Sequence, residues 1–415
     1  MSSVPLAQRA GGPDLARGLA LLGIALANTV GWLHGEQWTV LLKQLDTTAV
    51  DRAADVLIAL LVDNRGFPLF AMLFGYGIGI LHRRSRERGE APRRFVLRMA
   101  RRHLALLAIG LAHGILLFSG DILVPYAIIG MLCALLVSRH RLALPLAGLL
   151  ALPALGLWGW ADATIGLGQG SGYAAASAPD YLTSLKIRTG SALRGALLAP
   201  VEDIGLLAPM AIGALAARVR LLEEVAANRD LLVPLTRWGL GLGLLGAVPL
   251  TAVLVLDPAH AVLEGERMLG MLGVLHQLSG LLGALGLAAA AALLAERVRR
   301  REAAGVKYGE LLRGRAERGI EALGAVSLSA YVAQSLVFLA LFPPFTLDLG
   351  SRLGTAGAAG IVLLSWLAML PLAAALRRSG RRGPLELLLR ALAGSSTLRE
   401  TAAAGAATAV RGERP

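Results

Sequence analysis

The sequence predicts an all-α polytopic integral membrane protein with about ten transmembrane helices and with both termini in the cytoplasm. Three observations support this fold class. Hydrophobic residues make up 55% of the 415 residues. Apolar runs recur along nearly the whole chain, and about 20 apolar residues in a helix cross a hydrocarbon core about 30 Å thick. Basic residues fall mostly on one side of these runs, as the positive-inside rule requires.

Ten apolar runs mark the predicted spans. In chain order they cover residues 15–34, 66–82, 103–119, 122–138, 141–161, 203–218, 237–256, 268–295, 320–342 and 354–376. We treat residues 1–392 as one multi-helix transmembrane domain. Residues 393–415 consist largely of Ala, Thr, Gly and charged residues without an apolar pattern, which predicts a disordered cytoplasmic tail.

Two long polar segments connect spans on the predicted outer side, Gly35–Arg65 and Asp162–Glu202. In the first, apolar residues recur with helical spacing between Val50 and Leu61, which predicts an amphipathic helix. The second begins as a Gly- and Ser-rich loop, and Asp180 then occupies the position of a residue that begins a short helix.

The net charge of +13 indicates membrane topology rather than nucleic-acid binding. With the N-terminus inside and ten alternating spans, 33 of the 41 Lys and Arg residues fall inside and 8 outside. The clusters at Arg83–Arg102 and Arg297–Arg318 then face the cytoplasm, where they would attract anionic lipid. We therefore expect membrane lipids as partners and no nucleic acid, in a multi-pass protein of the plasma membrane. Whether it forms a homo-oligomer is left open.

Two features argue against other classes of function. Cys133 is the single cysteine, so we expect neither a disulfide framework nor a metal cofactor. The pattern Gly241-x-Gly243-x-x-Gly246 has the spacing of a dinucleotide-binding loop, but it lies inside an apolar run with no preceding strand. Close packing of helices is the interpretation we adopt for these glycines.

A histidine and an aspartate eight residues apart lie in a segment that is otherwise typical of membrane-buried helices. His113 falls in the outer half of the third span, and Asp121 falls at the turn into the fourth. An Asp at the centre of a span costs roughly 2.5–3.5 kcal/mol on insertion scales, so such groups usually line a cavity or a pathway. A carboxylate orients an imidazole and raises its basicity, which suits a general base. The alternative is a structural histidine bonded to a backbone carbonyl.

Polar residues also mark the first span. Asp14 and Arg17 are three residues apart and can pair on one helix face. In one interpretation Asp14 caps the helix and Arg17 extends to the membrane interface. In the other, Arg17 projects into the bundle and holds an anion. Asn28 in the same span is a polar group at depth that needs a partner.

One face of the ninth span is polar. It carries Ser327, Tyr331, Gln334 and Ser335. These side chains either form hydrogen bonds between helices or line a hydrophilic cavity. Tyr126, in the fourth span, is expected to face the same cavity as His113.

Together these motifs resemble the YeiB-like membrane proteins, which carry domain of unknown function 418. The matching segments follow one another in order from residue 15 to residue 390. They are Leu15–Ile24 with Asn28, Leu73–Gly77, Gly110–Gly114, Gly120–Ala127, Gly324–Ser335 and Gly383–Arg390.

The resemblance implies a ten-helix protein of the bacterial inner membrane. More distantly, the chain is similar to the transmembrane acyltransferase superfamily, which includes the lysosomal heparan glucosaminide acetyltransferase and the acyltransferase-3 proteins. These proteins take acyl groups from cytosolic acyl-CoA and acylate carbohydrate or lipid on the far side of the membrane. The acyltransferase-3 proteins place a catalytic histidine in the first span, where this chain has Asn28. We therefore expect His113 to act, with His34 and His276 as alternatives.

The leading hypothesis is an acyltransferase with acyl-CoA as donor. Arg17 and either Arg101 or Arg102 would contact the donor phosphates, and His113, oriented by Asp121, would activate an acceptor near the outer side. The other polar residues would complete the donor site and line the cavity: Asp14, Asn28, Tyr126, Ser327, Tyr331 and Gln334. One rival hypothesis is a transporter, or a lipid or metabolite translocator, that uses the same groups. Another is a non-catalytic lipid-binding or scaffold protein.

Overall fold

The computed structural model describes residues 11–35, 37–165, 167, 172–263, 265–304 and 312–394, with the side chains of 312 and 313 excepted. This part of the chain forms α-helices and short 3-10 turns, with isolated β-bridges at Trp38 and no strand. The predicted all-α class is therefore confirmed. Of the predicted tail, everything beyond Gly394 lies outside the described residues.

Fifteen α-helices are found in the described residues. In chain order they are α1 (Gly11–Ala27), α2 (Ala49–Leu61), α3 (Gly66–Glu87), α4 (Pro92–Leu116), α5 (Leu123–Val137), α6 (Ala143–Leu150), α7 (Leu152–Thr164), α8 (Tyr181–Glu202), α9 (Leu207–Ala216), α10 (Arg229–Leu256), α11 (Glu266–Ala303), α12 (Leu312–Ala325), α13 (Ser327–Leu341), α14 (Thr355–Arg378) and α15 (Pro384–Leu392).

Six helical segments of the described chain are long and apolar enough to cross a membrane, or eight if each of two bent helix pairs is one span. The six are Gly11–Trp32, Ala49–Glu87, Ala143–Thr164, Arg229–Leu256, Glu266–Ala303 and Thr355–Arg378. In the bent pairs, α8 meets the segment Ile204–Val219 at 58° and α12 meets α13 at 93°.

The predicted count of ten would require α4 and α5 to cross as well. Arginine and histidine side chains lower the hydropathy of α4, and α5 has only 15 residues. The count of ten and the side on which the termini lie therefore stay predictions.

The structure refines three predicted elements. The amphipathic helix expected between Val50 and Leu61 is α2. The short helix expected after Asp180 is instead α8, which continues for 22 residues, and the Asp180 carboxylate caps it by accepting from the N–H of Thr183 at 2.9 Å. The single span expected over residues 320–342 is wrong as a straight helix, because the chain turns sharply between α12 and α13.

Glycines allow α1 to pack closely against α12. A Cβ atom added to Gly18 would lie 2.2 Å from the carbonyl oxygen of Ile320, and one added to Gly324 would lie 1.8 Å from that of Asp14. The two helices therefore touch backbone to backbone, as small residues permit inside membranes. This contact fixes the position of the helix that carries Arg17.

The glycine pattern of α10 has the same structural role. A Cβ atom added to Gly243 would lie 2.7 Å from the Cα atom of Gly283 in α11, so the predicted interpretation as helix packing is confirmed. Away from this contact, Leu245 and Leu256 of α10 are 67% and 81% exposed. Large apolar side chains on the outer surface are expected where a helix faces lipid.

Candidate active site

The hairpin between α4 and α5 positions His113 and Asp121. His113 lies in the last turn of α4, and α5 begins two residues after Asp121. The Oδ2 atom of Asp121 accepts from the N–H of Val124 at 2.9 Å, which satisfies a free donor at the start of α5. Gly110 lets α5 begin directly against α4, because a Cβ atom there would lie 2.9 Å from the Cβ of Leu123. The carboxylate is thereby held beside the imidazole.

Three side chains form a hydrogen-bonded chain, Asp121–His113–Ser335. Oδ1 of Asp121 lies 2.7 Å from Nδ1 of His113, and Oγ of Ser335 lies 2.8 Å from Nε2 of the same ring. His113 is 3% exposed and Ser335 is 4% exposed. An ionised carboxylate only accepts, so we assign the hydrogen to Nδ1, and Nε2 of the neutral ring then accepts from the serine hydroxyl. An acid, an imidazole and a hydroxyl in this order form the arrangement that activates serine nucleophiles.

Aromatic side chains enclose this hydrogen-bonded chain. The ring of Tyr331 lies 5.0 Å from that of His113, and the Tyr331 hydroxyl accepts from the N–H of Ile122 at 3.3 Å. Phe118 approaches the imidazole edge-on at 6.5 Å and stacks on Trp32 at 5.4 Å. Water is largely excluded by such a wall, and hydrogen bonds and charges act more strongly there than in solvent.

Tyr126 and Gln334, both predicted site residues, bond to main-chain groups of other helices. The Tyr126 hydroxyl donates to the carbonyl of Phe67 at 2.8 Å, and the Gln334 amide donates to the carbonyl of Leu21 at 3.3 Å. Both side chains are buried. Of the two interpretations of these polar residues, the contacts agree with hydrogen bonding between helices.

Ser327 and Asn28 lie near helix ends. Ser327 begins α13, eight residues before Ser335 and therefore about 12 Å from it along the helix axis. Asn28 is half-buried in the 3-10 turn Asn28–Trp32 that follows α1, within the candidate span Gly11–Trp32. α1 ends at Ala27, one residue earlier.

The anion-binding site predicted around Arg17 is built from residues of α1, α3 and α4. Nη1 of Arg17 lies 2.7 Å from Oδ1 of Asp14, and Nη2 donates to the carbonyl of Leu73 at 3.3 Å. Burial and, to a lesser extent, the positive charge of Arg17 lower the pKa of Arg102. Arg101 is exposed, and of the two predicted alternatives Arg102 is the one whose charge interacts with that of Arg17.

Arg102 and His113 lie on the same face of α4. They are eleven residues apart, which is about three helical turns and about 16 Å along the axis. One helix therefore carries a cationic group near its start and the imidazole near its end.

A second buried polar cluster was not predicted. Nζ of Lys43 lies 2.8 Å from Oδ2 of Asp63, and Lys43 is 1% exposed. Asn64, the next residue, lies 3.2 Å from Nδ1 of His276, whose Nε2 donates to the carbonyl of Ala59 at 3.0 Å. The sequence placed this segment in an outer loop, because it is a long polar stretch between the first and second apolar runs. Packing against α7, α10 and α11 buries it.

The two alternative histidines differ from His113 in their partners. His276 bonds to an amide and to a backbone carbonyl, which is the arrangement of a structural histidine. His34 follows the 3-10 turn after α1, and its backbone N–H donates to the carbonyl of Gly350 at 2.8 Å. Within the described residues, no three His, Cys, Asp or Glu side chains converge as metal ligands.

Ser335 was missing from the predicted set of site residues. It shares the polar face of Tyr331, four residues earlier on α13, so its general position was visible. Its contact with His113 joins residues 222 positions apart. Nothing in the spacing along α13 shows which polar residue of that face meets the imidazole.

The helices and the enclosed polar site define a helical membrane protein. Residues 216–395 match the family model described as "Protein of unknown function (DUF418)". This part of the chain is similar to that family, in agreement with the resemblance found from the motifs. The matched part contains Tyr331 and Ser335, whereas His113 and Asp121 precede it.

The chain is also similar to two curated bacterial proteins. It is 31% identical over 133 residues to "Uncharacterized protein YxaH" of Bacillus subtilis (strain 168), which is 31% of this chain and 32% of that protein. It is 35% identical over 132 residues to "Uncharacterized 39.9 kDa protein in amylase 3'region" of Bacillus acidopullulyticus, which is 32% of this chain and 35% of that protein. The chain therefore spans about a third of the length of the curated relatives it matches.

Proposed function

We propose that this protein is a membrane-embedded acyltransferase that moves an acyl group from acyl-CoA to an acceptor hydroxyl or amine. The observation that carries the proposal is the buried chain Asp121–His113–Ser335. An imidazole held by a carboxylate is suited to remove a proton and to return it to a leaving thiolate. The distant resemblance to transmembrane acyltransferases supports the same reaction.

The arginine-rich end supplies the donor site in this proposal. Arg17 and Arg102 repel each other when no anion is bound, and a phosphate between them would relieve that repulsion. The distance of about 16 Å from Arg102 to His113 along α4 is comparable to the length of the extended pantetheine arm of coenzyme A. A donor anchored by its phosphates at the arginines would therefore bring its thioester to His113.

The predicted topology sets the direction of transfer. With the arginine-rich end in the cytoplasm of a bacterial cell, donor enters from the inside, and the hairpin that carries His113 lies toward the outside of the inner membrane. The acceptor would then approach from the outer side.

The direct test is release of coenzyme A from radiolabelled acetyl-CoA by the purified protein in proteoliposomes made with a bacterial lipid extract. General-base catalysis contributes about 10²–10⁴-fold, so His113→Ala should slow release and label transfer by that factor. His140→Ala is the matched control, because His140 is exposed and outside the site, and it should behave as wild type. Unchanged transfer in His113→Ala would remove His113 from the mechanism.

A transporter is the second candidate, and one observation favours it. Lys43, Asp63 and His276 form a buried ionisable cluster apart from His113, and such groups at membrane depth often mark ion pathways. A proton-coupled transporter predicts solute uptake that depends on a pH gradient, with no covalent product and with loss of uptake in Asp63→Asn. Gradient-independent release of coenzyme A would exclude this alternative.

A further inference from the structure

The hydroxyl of Ser335 is oriented differently from those of Ser279 and Ser365, two other helical serines. Ser279 and Ser365 donate to carbonyls three residues earlier in their own helices, at 3.0 and 2.9 Å. Helical serines usually do this when their hydroxyls are buried. Ser335 instead meets Nε2 of His113 at 2.8 Å. Its hydrogen is therefore directed at a base.

We propose that Ser335 is a nucleophile that carries the acyl group as an ester between donor and acceptor. This inference rests on the proposed acyltransferase function and adds a covalent step to it. A serine is a weak nucleophile until an adjacent base removes its proton, and His113 is placed to do so. Asp121, bonded to the opposite ring nitrogen, stabilises the imidazolium that forms.

The two half-reactions balance without an additional reactant. In the first, Oγ of Ser335 attacks the thioester carbon, His113 takes the hydroxyl proton, the carbon–sulfur bond breaks, and the proton passes to the thiolate. In the second, His113 removes a proton from the acceptor, the acceptor attacks the ester carbon, and the proton returns to Ser335. The products are coenzyme A and the acylated acceptor.

Tyr331 is placed to stabilise the oxyanion formed in each half-reaction. Its hydroxyl accepts from the N–H of Ile122, which leaves its own hydrogen to donate. It lies one turn before Ser335 on the same face of α13, and its ring contacts that of His113. A tyrosine hydroxyl aimed at a developing oxyanion is an established form of transition-state stabilisation.

The surroundings favour an ester that survives between the two half-reactions. Phe118, Trp32 and Phe338 stack in a row beside the site, with ring centroids 5.4 Å apart in both contacts of Trp32. Such an apolar wall limits the access of water to the ester. A covalent carrier also removes the need for donor and acceptor to be bound at the same time.

The test is to incubate the full-length protein with radiolabelled acetyl-CoA in the absence of acceptor and then quench it. We expect one acetyl group per chain, resistant to mild acid, released by alkaline hydroxylamine, and located on Ser335 by peptide mass spectrometry. Ser335→Ala should lose the adduct completely, and His113→Ala should form it about 10²–10⁴-fold more slowly. Ser279→Ala is the matched control, because Ser279 is equally buried but bonds only within its helix, and its protein should be labelled as wild type.

A second measurement keeps the proposal testable if Ser335→Ala does not fold. The wild-type protein is treated with a fluorophosphonate, which reacts with activated serines, and the labelled residue is identified. Labelling of Ser335 that requires His113 supports the nucleophile. Acetyl transfer without an adduct on Ser335, or an adduct on another residue, overturns the carrier role and leaves the proposed function in place. If the wild type releases no coenzyme A, the proposed function itself fails.

Discussion

Asp121 has two roles that a single substitution can separate. One carboxylate oxygen caps α5 through the N–H of Val124, and the other orients His113. Capping needs only an acceptor, whereas orientation of the neutral imidazole needs an acceptor facing Nδ1. A side-chain amide retains the first and disturbs the second.

Asp121→Asn should therefore lower acyl transfer by about 10²–10⁴-fold while the thermal unfolding temperature changes little. Asn is as good a helix cap as Asp, but its NH₂ group would face Nδ1 and favour the wrong tautomer. Asp180→Asn provides the control, because Asp180 caps α8 without contacting a histidine. Equal transfer rates in the two variants would mean that His113 needs no carboxylate.

A substitution of Arg102 can distinguish an effect on donor binding from an effect on the chemistry at His113. Arg102→Gln should raise KM for acyl-CoA roughly tenfold, the loss expected when one charge-assisted contact to phosphate is removed, with kcat nearly unchanged. Arg139→Gln removes an exposed arginine away from the site and should leave KM as it is. A fall in kcat with constant KM would place Arg102 at the reacting atoms instead.

At the scale of elements, the bend between α12 and α13 is held by a residue from α15. The Glu386 carboxylate accepts from the N–H groups of Leu328 and Ser329 and from the Ser329 hydroxyl. These are free donors at the start of α13, so Glu386 acts as a cap supplied from another helix. α13 carries Ser335, and the cap therefore helps to hold the site.

Glu386→Ala should lower the free energy of unfolding in detergent by about 1–2 kcal/mol, because the cap is lost and buried donors remain. Glu202→Ala serves for comparison: its ion pair with Arg194 is exposed, and such pairs contribute about 0–1 kcal/mol. Chemical denaturation of the two variants measures the difference. A smaller effect at Glu386 than at Glu202 would contradict the capping role.

Glu90, in the turn between α3 and α4, makes the free energy of unfolding depend on pH, and the direction of this dependence follows from its pKa. Hydrogen bonds from Arg98, the largest cause, and from Ser85 lower the pKa of Glu90 from 4.5 to about 2. The folded chain binds this proton more weakly than the unfolded chain does, so the contribution of Glu90 is full above pH 4.5 and is lost as the pH falls toward 2.

Glu90→Gln removes this dependence. The difference in unfolding temperature between wild type and variant should be constant above about pH 5 and should shrink between 4.5 and 2. Thermal scans of both proteins in the same detergent measure it. A difference that grows on acidification would show that the sign is wrong.

At the scale of the whole molecule, the charge distribution predicts which end faces the cytoplasm. The turn containing Arg88 belongs to the arginine-rich end, whereas Ser177 lies in the segment predicted to be outside. Cys133, the single native cysteine, is fully buried. Single-cysteine labelling can therefore report the orientation without interference once Cys133 is replaced by Ala.

We expect a membrane-impermeant maleimide to label Ser177→Cys in intact spheroplasts. Arg88→Cys should react only after permeabilisation, because both sites are exposed and only the membrane separates them. Both residues reacting from the same side would require an even number of spans between them, rather than the predicted three. The reverse pattern would place the arginine-rich end outside.

The sequence by itself determined the membrane class, the helical fold, the family resemblance and most of the polar residues of the site. These follow from composition, from periodicity and from contacts that are local in the chain. The pairing of His113 with Asp121 is of this kind, because the two residues are only eight positions apart and the short hairpin between α4 and α5 keeps their side chains close.

Only the tertiary structure decided that Ser335 is the partner of His113, that the charge of Arg102 rather than Arg101 interacts with Arg17, and that Lys43 and Asp63 are buried. In a membrane, helix association depends on shape and on close approach at small residues rather than on an apolar stripe. Most faces of such helices are apolar, so periodicity does not show which face meets which neighbour. The contacts between α4 and α13, α1 and α4, and the 35–65 segment and α11 are consequences of packing, and packing alone brings these residues together.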